Sequence, residues 1–151
     1  MNEIYGDLMA FHGRKGYIIC ITTNGFITKD GRGVMGRGCA KEAADMDSTL
    51  PGLLGKSLRA KGNILSRLTQ DLISFPVKHQ WFEDADPKLI RTSAIALKEM
   101  ALVTPEIKFI LPRPGCGNGG LDWEKIVKPL LEEVNLPNNV VIISFWEDRP
   151  K

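Results

Sequence analysis

The sequence predicts an α/β domain in three layers, with helices on both faces of a mixed, mostly parallel sheet. Three observations predict it. Short apolar runs at residues 17–22, 107–111 and 140–146 have the length and continuity of strands buried on both faces. Segments with helical spacing separate the strands. Glycine-rich stretches fall where strands give way to helices, the ends at which ligands bind in such sheets.

Each element has its own reason. Residues 4–11 read as a short strand, and Tyr17-Ile18-Ile19-Cys20-Ile21-Thr22 as a buried one. Residues 37–46 hold Cys39, Ala40, Ala43 and Ala44, small side chains that suit a helix packed closely on a sheet. Residues 51–61 read as a second short helix, stopped by Gly62, and 64–68 and 71–75 as two strands. Asp86 followed by Pro87 is an N-cap with proline at the first helical position. Leu89, Ile90, Ala94, Leu97 and Ala101 then keep helical spacing toward Val103. After the strand at 107–111, Asp122 caps a helix whose apolar face is Ile126, Val127, Leu130, Leu131 and Val134. Pro129 lies in that helix, where an interior proline costs about 3 kcal/mol. A kink is expected there, or a tight first turn with the regular helix starting late.

Length and composition bound the class. The 151 residues read as one domain, 1–151, large enough to bury a proper core. A hydrophobic content of 43% and a charged content of 25% are ordinary for a globular protein. The net charge of +2 demands no broad basic face. No apolar run approaches the roughly 18 residues of a membrane span, and residues 1–7 do not form a signal peptide. Cys20, Cys39 and Cys116 form no C-x-x-C pair, so a reducing cytoplasm is expected. With only His12 and His79 besides, neither zinc nor any other metal is expected.

Two stretches spell G-x-G-x-x-G: Gly31-Arg32-Gly33-Val34-Met35-Gly36, extended by Arg37-Gly38, and Gly115-Cys116-Gly117-Asn118-Gly119-Gly120. Glycine lets backbone N–H groups approach a ligand closely, and a helix N-terminus adds partial positive charge. Two such loops at the ends of two strands suggest a pocket that grips a diphosphate from both sides. A dinucleotide site of the Rossmann kind fits poorly. Residues 24–30 separate the first copy from its strand, and too little chain follows the second. Gly52-Leu53-Leu54-Gly55-Lys56-Ser57 is two residues too short between its glycines for a P-loop.

At this point the residues resemble a family. Gly6-Asp7-Leu8 is similar to the early G-D-[IL] of macrodomains. Asn24 with Gly33-Val34-Met35-Gly36-Arg37-Gly38 resembles their first binding loop, and Gly115 through Trp123 their second. The strongest resemblance is to the macrodomains of DarG-type antitoxins, which remove ADP-ribose from DNA. They share the G-C-G-N-G-G-L-D-W run and an F-P-x-K-x-x-W segment, here Phe75-Pro76-Val77-Lys78-His79-Gln80-Trp81. The human terminal ADP-ribose protein glycohydrolase is similar more distantly. The resemblance implies a three-layer α-β-α macrodomain with a mixed, mostly parallel central sheet over the whole chain.

It also implies roles. Asp7, next to Leu8, accepts from the adenine amino group, as a carboxylate suits an N–H₂ donor. The backbone of Gly33, Val34, Met35, Gly36 and Gly38 and of Gly115, Cys116, Gly117, Asn118, Gly119, Gly120 and Leu121 wraps the diphosphate and distal ribose. Asn24 meets that ribose, and Phe145 or Trp146 packs on the adenine. Lys78 is the catalytic group. It acts either as a nucleophilic amine toward the opened sugar or as a charge stabilising the departing group. The aspartate that the human enzyme carries in the second loop falls at Gly119, as in the DarG type. The implied function is an ADP-ribosyl glycohydrolase acting on a modified macromolecule, ADP-ribosylated DNA among the candidates, as a monomer without a cofactor. The alternatives are an ADP-ribose 1″-phosphate phosphatase, an O-acetyl-ADP-ribose esterase or a non-catalytic ADP-ribose reader.

Three further features stay open on the sequence. Cys116 is either a thiol activated by a helix N-terminus or a small residue packed under the loop. His79, beside Lys78, points to the opposite side if the strand continues. The excursion at residues 25–32 is longer than the DarG pattern, and its Lys29 and Arg32, with Arg37, suit a phosphate or a nucleic-acid backbone.

Overall fold

The computed structural model describes residues 1–150. Six strands form one sheet: β1 (Asn2–Tyr5), β2 (Tyr17–Asn24), β3 (Ser66–Thr69), β4 (Leu72–Lys78), β5 (Lys108–Pro112) and β6 (Val140–Ser144), in the order β1-β6-β5-β2-β4-β3. Every neighbouring pair is parallel except β3 with β4, so the sheet is mixed and mostly parallel. The helices are α1 (Gly38–Met46), α2 (Leu50–Lys61), α3 (Pro87–Val103) and α4 (Lys128–Val134). Among the described residues, no helix is long and apolar enough to cross a membrane.

Strand alternation divides the core into two clusters. Ile18, Cys20, Phe75, Phe109 and Ile142 face α3 and α4, where Ile90, Ala94, Leu97 and Leu131 are buried. Ile19, Ile21, Leu72, Ile110 and Val141 face α1 and α2, where Ala40, Ala43, Leu54 and Leu58 are buried. The sheet is therefore covered on both sides, which is why its central strands read as unbroken apolar runs.

Three expectations need correction. Residues 4–11 are not one strand. β1 ends at Tyr5, and Leu8–Phe11 form a 3-10 turn whose N-cap is Asp7. β4 runs on through Pro76 to Lys78 instead of stopping at Phe75. A proline lacks only a ladder donor, and β3 stops pairing at Ser74, so Pro76 sits where β4 has no second neighbour. Pro129 makes neither a kink nor a tight turn, although the regular helix does start late, as expected. Trp123–Val127 make a wide π turn capped by Asp122, and regular helix starts at Lys128, so Pro129 falls in the first turn, where its missing N–H costs nothing.

The segment between β4 and α3 is tied at both ends. Asp86 N–H donates to the Val77 carbonyl at 2.8 Å, and Ala85 N–H to the Gly119 carbonyl at 2.9 Å. Asp86 also caps α3 by accepting from Lys88 N–H at 2.9 Å, and it pairs with His79 Nε2 at 2.8 Å. The His79 contact, then the α3 amides, hold the Asp86 carboxyl below its ordinary range, with burial opposing. A lowered folded-state pKa means the stabilisation is present above the unfolded value and is lost as pH falls through the folded one. Asp86→Ala is expected to cost about 1 kcal/mol at neutral pH, read by urea denaturation. The gap to wild type should close on acidification below the usual carboxylate range.

Candidate functional site

The parallel strands all end on one side, and their carboxyl ends open into a single cleft of about 830 Å³. That volume suits a nucleotide-sized ligand. The ends of β2, β4, β5 and β6 all line it. The register of β2 and β4 brings Asn24 beside Lys78 across a bulge that follows Thr23.

The two glycine loops form opposite walls and come close: a Cβ on Gly38 would lie 3.4 Å from Asn118 Nδ2. Gly36, Arg37, Gly117, Asn118 and Gly119 all line the cleft, and no acceptor among the described residues takes their backbone N–H groups. Such unpaired amides make a concave anion site. The glycines differ in purpose. A Cβ on Gly36 or Gly117 would meet nothing within 4 Å, so the fold itself has room for a side chain there. A Cβ on Gly119 would lie 2.5 Å from the Gly115 carbonyl oxygen and 2.8 Å from Ala85 Cβ, so no side chain fits. The absence of an aspartate at this position is therefore built into the backbone.

Of the other loop residues singled out from sequence, Val34, Gly38, Gly115, Cys116 and Leu121 line the cleft. Gly33, Met35 and Gly120 do not. Gly33 is pressed on Leu54 with its N–H on the Pro51 carbonyl, and Met35 is buried in the core toward α1 and α2. Gly120 turns back on Gly117, near Asp84.

Lys78 ends β4 and lines the cleft. Its Nζ donates to the carbonyls of Asn118 at 3.2 Å and Trp81 at 3.4 Å, tying the strand end to the second loop. Among the described residues no carboxylate pairs with it within 4.0 Å. Asn24 clamps the first loop: its Nδ2 donates to the Val34 carbonyl and its Oδ1 accepts from Phe26 N–H, both at 3.1 Å. His79 lies outside the cleft, occupied by Asp86.

At the other end, Asp7 and Leu8 line the cleft. Asp7 Oδ1 accepts from Met9 N–H at 3.1 Å, leaving the second oxygen without a protein donor. β6 stops at Ser144, so strand alternation does not choose between Phe145 and Trp146. Phe145 lines the cleft, whereas Trp146 lies outside it beneath the Arg149 guanidinium.

Sequence reasoning missed Arg113. Its Nε donates to Ser144 Oγ at 2.7 Å and its guanidinium lies 5.1 Å from the Trp123 ring, joining β5, β6 and the second loop. Its place between a strand and a glycine loop was the available signal. Two other lining residues, Thr23 and Trp123, bury polar atoms with no protein partner, Oγ1 and Nε1. Cys116 is not activated. Burial pushes its thiol up to about 12, against a smaller opposing pull from Arg113.

Side-chain charge in the cleft is mixed, with Asp7, Glu42, Asp122 and Asp148 against Arg37, Lys78 and Arg113. An anion held here relies on backbone amides more than on a cationic wall.

A six-stranded, mostly parallel sheet covered on both faces, with glycine loops walling a cleft at its carboxyl ends, is a three-layer α/β domain whose cleft lies where such sheets take their ligands. Comparison with solved structures makes it the macrodomain fold. The Mycobacterium tuberculosis DarG macrodomain matches with a TM-score of 0.72 and 21% identity, covering 99% of this chain and 97% of that one. The Thermus aquaticus DarG macrodomain matches with a TM-score of 0.72 and 20% identity over the same shares. Thermosipho africanus DarTG, solved in complex with ADP-ribose, matches with a TM-score of 0.74 and 23% identity. There the match covers 99% of this chain but 43% of that one. No family model matches the sequence, and no curated protein does.

The glycine geometry gives a contrast to measure. Gly119→Ala is expected to destabilise by about 1–3 kcal/mol through overpacking against rigid backbone. Gly117→Ala should stay within about 0.5 kcal/mol of wild type. Equal thermal melts for the two variants would show that the second loop is not packed as described. Cys116 should resist iodoacetamide in the native state until the pH nears its raised value, read by mass spectrometry of the labelled peptide.

Proposed function

We propose that the cleft binds ADP-ribose and that the chain releases it from a modified macromolecule, with Lys78 as the catalytic group. One observation carries the reading. Two glycine loops wall one cleft with unpaired backbone amides, and Lys78, which among the described residues is the only lysine lining the cleft, is anchored to one of them. The Thermosipho africanus structure, which shares the fold, was solved in complex with ADP-ribose.

In this reading the ligand runs from Asp7 to Lys78. The free oxygen of Asp7 accepts from the adenine amino group, and Phe145 packs on the ring. The diphosphate lies on the amides of Gly36, Arg37, Gly117, Asn118 and Gly119. Asn24, spent on holding the first loop, sets the shape of the distal-ribose end. The anomeric carbon then faces Lys78, and the acceptor leaves on that side. A nucleobase is the acceptor suggested by the DarG likeness.

Lys78 has two routes. As a cation held by two carbonyls, it stabilises negative charge on the departing group. As a free amine, Nζ adds to C1″ while the ring C1″–O4″ bond opens and a proton passes to O4″. The C1″–acceptor bond then breaks, the acceptor leaving with a proton from the lysine nitrogen, and water hydrolyses the resulting Schiff base to ADP-ribose and the free amine. The observed bonding favours the first route, because the second requires Nζ to release a carbonyl.

ADP-ribose is expected to bind at micromolar strength, near −8 kcal/mol, by titration calorimetry. AMP should bind far more weakly, and Asp7→Ala should cost about 1–3 kcal/mol. Lys78→Ala should abolish release of DNA-linked ADP-ribose while changing ADP-ribose affinity by less than about 1 kcal/mol. A partly active Lys78→Arg indicates charge stabilisation, and a dead one indicates amine chemistry. Wild-type turnover by Lys78→Ala would sink the assignment, and binding without turnover of any ADP-ribosylated substrate would leave a reader.

A further inference from the structure

The net charge of +2 hides a segregated distribution. Residues 48–70 contain Lys56, Arg59, Lys61 and Arg67 and no carboxylate. Residues 25–37 contain Lys29, Arg32 and Arg37 against Asp30 alone. The fold packs these two stretches together. Gly55 of α2 has no room for a Cβ because the Gly31 carbonyl lies on it, Gly33 N–H donates to the Pro51 carbonyl, and the Arg59 guanidinium lies against Gly31. The excursion at 25–32 is thus a strap laid along α2, and Lys29, Arg32, Lys56, Arg59 and Lys61 are all exposed. Asp30 is engaged within the strap by Thr28 and Arg32.

This basic face ends at the catalytic candidate. Gly25 N–H, where the strap begins, donates to the carbonyls of Lys78 and His79, each at 3.1 Å. Asn63, two residues beyond Lys61, donates from Nδ2 to the same Lys78 carbonyl at 2.9 Å. On the far side of Lys78 stand two exposed aromatic rings, Trp81 and Phe82, edge to face with centroids 5.4 Å apart. Trp81 lines the cleft, and Phe82 is 66% exposed beyond it. Glu83 and Asp84 follow the pair and repel phosphate there.

We propose that the strap and α2 form a docking surface for a single-stranded nucleic acid, whose phosphates track the basic face while its bases stack on Trp81 and Phe82. Cations that follow a backbone, joined to open π faces, are the combination that holds single strands. An acidic polypeptide would use the cations but brings a flat group only where its sequence places an aromatic side chain, whereas every nucleotide brings one. Paired bases in a duplex would be stacked away from them. The basic face and Phe82 lie outside the ADP-ribose cleft, with Trp81 shared between the two, and the proposal rests on the reading above only for the position of the acceptor end at Lys78.

The test uses an unmodified, fluorescently labelled single-stranded oligonucleotide and fluorescence anisotropy across a salt series. It needs no turnover, so it fails or succeeds independently of the glycohydrolase reading. Wild type should bind with a steep salt dependence. Replacing Lys29, Lys56 and Lys61 by Gln together should weaken binding at least tenfold and flatten the log–log salt slope by about 2, as three lost phosphate contacts at ~0.7 each require. Phe82→Ala should weaken it about fivefold or more at unchanged slope. ADP-ribose affinity should be unchanged in all variants, which also reports that they are folded. Wild-type oligonucleotide affinity in the triple variant would overturn the proposal. Indifference to Phe82→Ala, with poly-glutamate competing as well as the oligonucleotide, would overturn it in favour of an acidic protein partner.

Discussion

Everything at this site depends on room at the carboxyl ends of adjacent parallel strands. Parallel strands end side by side, so the chains leaving them must share one narrow space. Here two chains do so without side chains. Gly31 and Gly55 let the strap lie on α2, and Gly115 and Gly119 let the second loop fold on itself against Ala85 and Ile90. Such contacts leave no distance to spare for a Cβ. They also use up these residues as structure, which frees Gly36 and Gly117 to be open where the ligand would lie. Some glycines make the walls, and others keep the space between them.

Lys78 is placed by the same economy of space. β4 outlasts its neighbour β3, and Pro76 is tolerated because nothing pairs on that side. The strand therefore delivers Lys78 level with Asn24 instead of leaving it in a loop. The carbonyls of Asn118 and Trp81 then fix the ammonium. A residue on a strand end, held to the opposite wall, is more precisely positioned than one on a free loop.

Much of this was legible in the sequence, for identifiable reasons. The sheet was readable because strands buried on both faces are continuous apolar runs. Asp86 and Asp122 were readable because a capping carboxylate is a local feature. What failed depended on distant neighbours. The proline at 76 stops a strand only if both sides need donors, and that follows from where β3 ends. Phe145 and Trp146 could not be separated by alternation, because β6 ends before them. Gly33 looked like its neighbours in the motif, yet Leu54, from another helix, decides that it packs inward. Arg113 carries no motif, and only the meeting of β5 with β6 shows what it joins.

Charge is the last thing the linear count obscured. The cleft mixes carboxylates and cations, while the strap and α2 are almost purely basic. The two surfaces therefore attract in different ways. Amides in the cleft act at short range and are little screened once a ligand covers them. Exposed cations act over about a Debye length, roughly 8 Å at physiological salt. On the proposed reading, a free nucleotide would engage only the first. A nucleotide joined to a long polyanion would engage both, because the basic face abuts the end of the cleft at Lys78. Discrimination between them would then be a matter of what extends past the lysine, with no change needed in the pocket itself.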